Sequence, residues 1–288
     1  MRSGGGVLTR LLHVGEQPVV VHAWQRRGGA VALRAVDAGH GEGGGEALEE
    51  AIARMRFALG VDDDLSEFYA AFKRDEFLGP AIRRRPWLRP VRRPFAWEAL
   101  AWAITEQLIE SSRAAQIQRR LVRRWGATCE WSGKGAERRP LCDVPAPEAI
   151  ARRAPAELAG CDLAMARSVA LVKCAREVAA GRADPADAGG DARFRRVSEI
   201  GPWTLQCLGL FGRGEPDSLP AGDLAYVKLV GVAAGLGRRA MVAEVEDFYA
   251  RYAPFRGLAG IFSLSHPGFG KSLSRGLPLA PDFYADAA

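Results

Sequence analysis

The sequence predicts a mainly helical chain that carries a small antiparallel β-sheet at its N-terminus. Three observations support that class. Two short β-prone runs stand either side of a turn signal before residue 40, helical periodicity takes over from Glu46, and two helices joined by a tight turn are signalled between Phe194 and Lys228.

The β-prone runs are Val19 to Trp24 and Ala30 to Val36. Gln25 to Gly29 between them reads as a hairpin, and His40 to Gly45 as a flexible break. The acidic run Asp62-Asp63-Asp64 precedes a helical segment and reads as an N-terminal cap. Trp97, Leu100, Ala101, Ile104 and Leu108 then follow one helical stripe, and Ala114, Ile117, Leu121 and Trp125 a second. Phe95, Trp97, Trp102 and Trp125 are expected in the core, as aromatic stripes at helical spacing usually are. Residues 126–147 contain three prolines and read as a long connection. Leu171, Ala175, Val178 and Ala179 form the next apolar face, ahead of a break over 181–190. The expected organisation is a small α+β unit over 1–80, a helical unit over 81–190, and a second helical region with a tail over 191–288.

Composition excludes several functional classes. With 288 residues, 48% hydrophobic and 26% charged, the chain is neither disordered nor fibrous. It has no run of 18 apolar residues and no secretory signal, so no membrane role is expected and a cytoplasmic, nucleoid-associated location is. Five cysteines without C-x2-C spacing read as free thiols. Only four histidines occur, three within the first 40 residues, so triad and poly-histidine metal chemistry lack parts and no metal site is expected. Catalysis must lean on carboxylates. Residues 81–125 hold eleven arginines against Glu98, Glu106 and Glu110, a local +8 in a chain of net +6. That excess fits polyanion binding and, equally, an ordinary solvated surface.

The most informative stretch is FRRVSEIGPWTLQCLGLFGRGEPDSLPAGDLAYVK, residues 194–228. Ser198-Glu199-Ile200-Gly201 ends a helical turn, and Pro202 opens a new helix where proline is tolerated. The free N–H groups at such a helix start favour a phosphate oxygen, which positions DNA without reading its sequence. Gly222-Asp223 heads a further helix. Asp223 is there either as its N-cap or as a carboxylate that stabilises an oxocarbenium-like sugar, and the two roles are compatible.

On these residues the chain resembles the helix-hairpin-helix DNA glycosylases, most closely the 3-methyladenine DNA glycosylase II family, over about residues 80–265. Ile200-Gly201-Pro202-Trp203-Thr204 matches the family hairpin and helix start, and Asp223, 20 positions after Trp203, stands at the family's catalytic aspartate. The resemblance implies two helical subdomains with the active-site cleft between them. It also implies a monofunctional glycosylase that flips and excises alkylated purines from duplex DNA, because the nucleophilic lysine of the lyase branch is replaced by Trp203. No cofactor is implied beyond a monovalent cation that some members hold on hairpin carbonyls, here Ser198 to Gly201.

The implied base pocket comprises Trp203, Cys207 and Leu264, with Cys207 and Leu264 standing where the family carries aromatic residues. Trp203 suits stacking on an extruded base, or core packing at a helix start. The implied DNA contacts are Gln107, Leu108, Ser198, Glu199, Ile200, Gly201, Thr204 and Lys228. Leu108 matches the family's wedge leucine, although it also continues the Trp97 stripe. Glu199 replaces the first hairpin glycine and brings a negative charge to the phosphate side. The expected partner is damaged double-stranded DNA, bound by a monomer. Two alternatives stand beside this reading. A non-catalytic helix-hairpin-helix DNA-binding protein is opposed by the presence of Asp223, and a nucleoside N-glycosidase has no use for the basic segment.

Overall fold

The computed structural model describes residues 2–4, 6–39, 45–131 and 140–265. Most of the break expected at 40–45 and of the C-terminal tail lies outside them.

The N-terminal sheet has four antiparallel strands in sequential order: β1 (Arg2–Gly4), β2 (Val7–Val14), β3 (Gln17–Gln25) and β4 (Val31–Asp37). The expected hairpin is the β3–β4 pair, with Val21 opposite Ala35 and Ala23 opposite Leu33. The strand β2 was not anticipated, because Arg10 and His13 interrupt its apolar run. Both side chains are paired elsewhere. Arg10 forms a buried ion pair with Glu98, and His13 is tied to Asp143 through its backbone N–H at 2.8 Å and its ring Nδ1 at 3.0 Å. The sheet is thereby fastened to the helical body by charge pairs that cross about 90 and 130 residues of chain.

Thirteen α-helices follow among the described residues: α1 (Gly45–Leu59), α2 (Ser66–Phe72), α3 (Gly79–Arg84), α4 (Ala96–Glu106), α5 (Ser111–Trp125), α6 (Pro147–Ala151), α7 (Pro155–Ala159), α8 (Met165–Ala179), α9 (Asp191–Phe194), α10 (Pro202–Leu208), α11 (Leu224–Ala233), α12 (Val242–Ala250) and α13 (Arg256–Leu264). Two-residue strands β5 (Thr128–Cys129) and β6 (Leu141–Cys142) pair within the expected long connection. A π-helical turn, Gly209–Arg213, extends α10.

Two large apolar clusters hold the helices. One joins α4, α5 and α8 to the hairpin region through Trp97, Leu100, Ile104, Ile117, Leu171 and Phe194. The other joins α2 and α3 to α11–α13 through Phe68, Leu78, Tyr226, Tyr249, Tyr252 and Phe262. The helices on either side of residue 80 thus share a core with the C-terminal end of the chain. A third, smaller cluster packs α1 on the sheet, with Met55 and Ala51 against Leu12, Val19 and Val21.

The helix α4 is buried on nearly every side and so serves as the central strut. Trp97 and Trp102 lie in its core as expected, with Phe95 and Trp125 packed at the margins of their clusters. At Gly212 the π turn comes so close to α4 that an added Cβ would stand 2.8 Å from the Ala99 Cβ. No larger residue fits there without moving α4.

Three expectations need correcting. The stripe that begins at Trp97 does not reach Leu108, because α4 ends at Glu106 and Leu108 adopts a left-handed backbone, φ 55°. Of the acidic run, only Asp64 accepts from a backbone N–H, that of Ser66, while Asp62 pairs with Arg56 and Asp63 with Arg92. The arginine excess at 81–125 is partly internal: Arg92 and Arg93 are buried, Arg92 grips Asp63 with two hydrogen bonds, and Arg113 and Arg120 share Asp162. All five cysteines are free thiols. Among the described residues no helix is long and apolar enough to cross a membrane, and no group of three or more His, Cys, Asp or Glu side chains could hold a metal ion.

Candidate active site

The hairpin is built as its residues dictate. After α9 the chain turns through 195–200, Gly201 takes an extended backbone, and Pro202 starts α10 at a position that needs no N–H. Glu199 sits in the left-handed region, φ 74°, the conformation for which glycine is the usual choice. Ser198 and Glu199 are exposed, as a DNA contact requires. Ile200 and Thr204 are buried, which corrects their assignment as side-chain contacts with DNA.

Thr204 has a different task. Its Oγ1 accepts a hydrogen bond from Gln107 Nε2 at 2.9 Å, and the same amide donates to the carbonyl of Glu199 at 2.8 Å. The Gln107 carbonyl in turn accepts from Arg167 on α8. Gln107 is therefore a clamp between the α4–α5 turn and the hairpin. Held from both sides, the turn projects Leu108 outward at 98% exposure, the most exposed of the large apolar side chains in the described residues. A leucine in a strained backbone conformation and almost wholly in water contributes nothing to the core.

Behind the hairpin, Asp223 heads α11. Its Oδ1 accepts from the Ala225 N–H at 2.8 Å, which is the expected N-cap bond, and its Oδ2 faces Trp203 Nε1 at 3.4 Å. The residue is only 7% exposed. Burial pushes its carboxyl up to about 6, against the two hydrogen bonds that favour the charged form, and the charge of Glu106 adds to the rise. Trp203 is half-buried and borders Gly222 as well as Asp223, so its ring lies along the wall that leads to the carboxylate.

Cys207, one turn beyond Trp203, is buried. Its thiol is pushed well above the ordinary range, first by burial and then by the charges of Asp223 and Glu106. It is an inert neutral surface beside the aspartate. Tyr226, one turn along α11, is fully buried and its Oη has no hydrogen-bond partner among the described residues. Its phenol is raised by burial, with Tyr249, Asp223 and Cys207 adding to the effect.

The structure thus brings Asp223, Trp203 and Cys207 together and places Gln107 and Leu108 at the adjoining hairpin edge. Leu264 is buried at the end of α13, in the core that Tyr226 shares. Lys228 is half-buried on α11. Leu224, expected on the apolar face of α11, is nearly half exposed next to Asp223, and Ala225, Tyr226, Leu229 and Val230 fill that face instead.

Glu106 was read only as an offset to the arginines, yet it is the second carboxylate whose charge reaches Asp223 and Cys207. Nothing in its local sequence signals this proximity. Arg167, which holds the Gln107 carbonyl, was missed for the same reason.

The fold is that of a solved structure of a 3-methyladenine DNA-glycosylase from Archaeoglobus fulgidus, with a TM-score of 0.75 at 20% identity over 90% of this chain and 86% of that one. A DNA-3-methyladenine glycosylase of Bacillus subtilis is 23% identical over 220 residues, 74% of this chain and 71% of its own length. The chain belongs to the helix-hairpin-helix DNA glycosylase superfamily. Superfamily likeness extends to the 3-methyladenine DNA glycosylase Mag1 of Schizosaccharomyces pombe, solved in complex with abasic DNA, at a TM-score of 0.54 and 21% identity over 69% of this chain and 95% of that one. A probable bifunctional transcriptional activator/DNA repair enzyme of Mycobacterium tuberculosis is 28% identical over 228 residues, and the chain spans 42% of that protein's length. No protein-family model matches the chain.

Proposed function

We propose that this protein is a monofunctional DNA glycosylase that excises alkylated purine bases from duplex DNA and leaves an abasic site. The observation that carries the reading is Asp223, a buried carboxylate set beside the Trp203 ring and behind an exposed hairpin.

Cleavage of the C1′–N9 bond builds positive charge on the deoxyribose, and an ionised Asp223 stabilises that charge where water is excluded and its field is strong. Trp203 offers a π-face to an electron-poor alkylated base turned out of the helix, and Cys207 and Leu264 complete a pocket of small apolar surface. Leu108 enters the minor groove and fills the space the base vacates. Its exposure and outward backbone geometry, fixed by the Gln107 clamp, support that role. The backbone of Ser198 to Gly201 receives a phosphate, and Lys228 lies on the same side chain-bearing helix as the catalytic aspartate.

No cofactor takes part in this scheme. A monovalent cation at the carbonyls of Ser198 to Gly201 would share the Glu199 oxygen with Gln107. The protein acts as a monomer on chromosomal DNA in the cytoplasm. Lacking an amine at position 203, it forms no Schiff base with the sugar.

The test is base release. Wild-type protein incubated with methylated duplex DNA, with the soluble products resolved by chromatography, should liberate 3-methyladenine or 7-methylguanine as free bases. Tight binding to that DNA with no base released would instead support a non-catalytic DNA-binding protein.

A further inference from the structure

We propose that Glu106 is a second catalytic residue of this site, the acid that delivers a proton to an uncharged damaged purine as it leaves. This rests on the glycosylase reading above and deepens it, because it assigns the enzyme neutral lesions such as hypoxanthine in addition to cationic alkylated bases.

The placement comes from the turn that ends α4. Glu106 is the last residue of that helix and the immediate neighbour of Gln107, whose amide bonds Thr204 Oγ1. Thr204 adjoins Trp203, and Trp203 faces Asp223. One oxygen of Glu106 is fixed: Oε1 accepts from Gln118 Nε2 at 3.1 Å, and the same amide also donates to Thr105. Oε2 accepts no hydrogen bond from the described residues. Its carboxyl therefore has one oxygen held in register and one available to a guest.

The groups that face Glu106 have opposing effects. Arg93, ahead of α4, favours its ionised form, as does Gln118 on α5. Asp223, Cys207 and the enclosure of the site oppose it, and burial prevails, holding the carboxyl above the usual glutamate range. Asp223 is raised as well. Two carboxylates that feel each other in one enclosed site titrate as a pair, with one ionised while the other keeps its proton. Asp223 accepts two hydrogen bonds that favour charge, including one from the α11 backbone, so it is the member that ionises. Glu106 then keeps the proton.

The chemistry divides the substrates. A purine alkylated at N3 or N7 already carries positive charge and departs as a neutral base. Hypoxanthine would depart as an anion and needs a proton. In the proposed step the C1′–N9 bond breaks with its electron pair going to the purine, while the Glu106 carboxyl proton passes to a ring nitrogen. Water adds to C1′ and releases its proton to solvent past Asp223. Solvent then reprotonates Glu106, so the sum is hydrolysis of one N-glycosidic bond.

The experiment uses single-turnover excision from two duplexes, one carrying a single hypoxanthine and one carrying 7-methylguanine, with wild type and Glu106→Gln. Glutamine keeps the size and the bond to Gln118 but cannot supply the proton. The variant should lose hypoxanthine excision by about 100-fold or more, while 7-methylguanine release changes by less than about threefold. A second measurement needs no variant. The wild-type pH profile should be bell-shaped for hypoxanthine and should only rise for 7-methylguanine, because only the neutral base needs the acid.

Equal losses on both substrates, superimposable wild-type profiles, or a wild type that releases 7-methylguanine but never hypoxanthine would each overturn the proposal while leaving the glycosylase reading intact. Release of neither base would overturn both.

Discussion

Replacing Glu199 separates two costs that this residue brings to the hairpin. Its backbone lies at φ 74°, where a side chain costs roughly 1 kcal/mol that glycine avoids, although glycine gives back about 0.4–1 kcal/mol through the freer unfolded chain. Glu199→Gly should therefore leave folding stability close to wild type. The charge acts separately. A carboxylate about 5 Å from a DNA phosphate, in surroundings as polar as water, is repelled by about 0.8 kcal/mol, roughly a fourfold change in Kd. Glu199→Gln removes the charge and keeps the side chain, so both variants should tighten duplex binding by that factor at low salt. The gain should shrink as the screening length falls from about 30 Å at 0.01 M salt to about 8 Å at 0.15 M. Fluorescence anisotropy on a labelled duplex, with mutant and wild type compared at each salt concentration, measures it. If neither variant alters affinity or its salt dependence, the hairpin is not the DNA anchor and the placement of DNA is wrong.

Other consequences follow from the same geometry. Leu108→Ala should leave the melting temperature unchanged, since the side chain is 98% exposed, and should lower kcat/KM on duplex DNA by about tenfold with a smaller loss on a single strand, which has no stack to open. Asp223→Asn should stabilise the fold at pH 7.5, because the folded pKa of about 6 lies above the ordinary 3.8 and the ionised form is the one the fold penalises. That penalty is fully present above about pH 6, declines between 6 and 3.8, and is absent below 3.8, where both states are protonated. About two pKa units correspond to on the order of 3 kcal/mol, with asparagine keeping the N-cap, and thermal melts of both proteins across that pH range test the sign. Borohydride added during turnover should trap no protein–DNA adduct, because no lysine stands at position 203.

Features written in local chemistry were legible in the sequence, and those that depend on distant partners were not. Gly201-Pro202 announces the start of α10 through backbone rules alone, and Asp223 announces a helix cap in the same way. The second helical stripe also needs no tertiary information, and α5 buries Ala114, Ile117 and Leu121 as its spacing demands. By contrast, β2 was hidden because Arg10 reads as surface until Glu98 is brought to it from across the chain. The end of α4 was hidden for a related reason. Nothing between Thr105 and Ile109 stops a helix by composition. The stop is imposed by Gln107 bonding the hairpin about 90 residues away, and it is what turns Leu108 from an apparent core residue into an exposed one. Glu106 and Arg167 were invisible as site residues for want of the same contact, and the local arginine excess overstated the free positive surface because Arg92 and Arg93 are spent inside the fold.

The central claim is that the carboxylate of Asp223 performs the chemistry while other parts of the protein hold the DNA. The most direct measurement compares wild type with Asp223→Asn for release of 3-methyladenine from a methylated duplex, and for binding to a duplex that carries an abasic analogue. Removing a group that acts mainly in the transition state should abolish base release and leave the binding constant within a few-fold. Base release by Asp223→Asn at a rate near that of wild type would contradict the account.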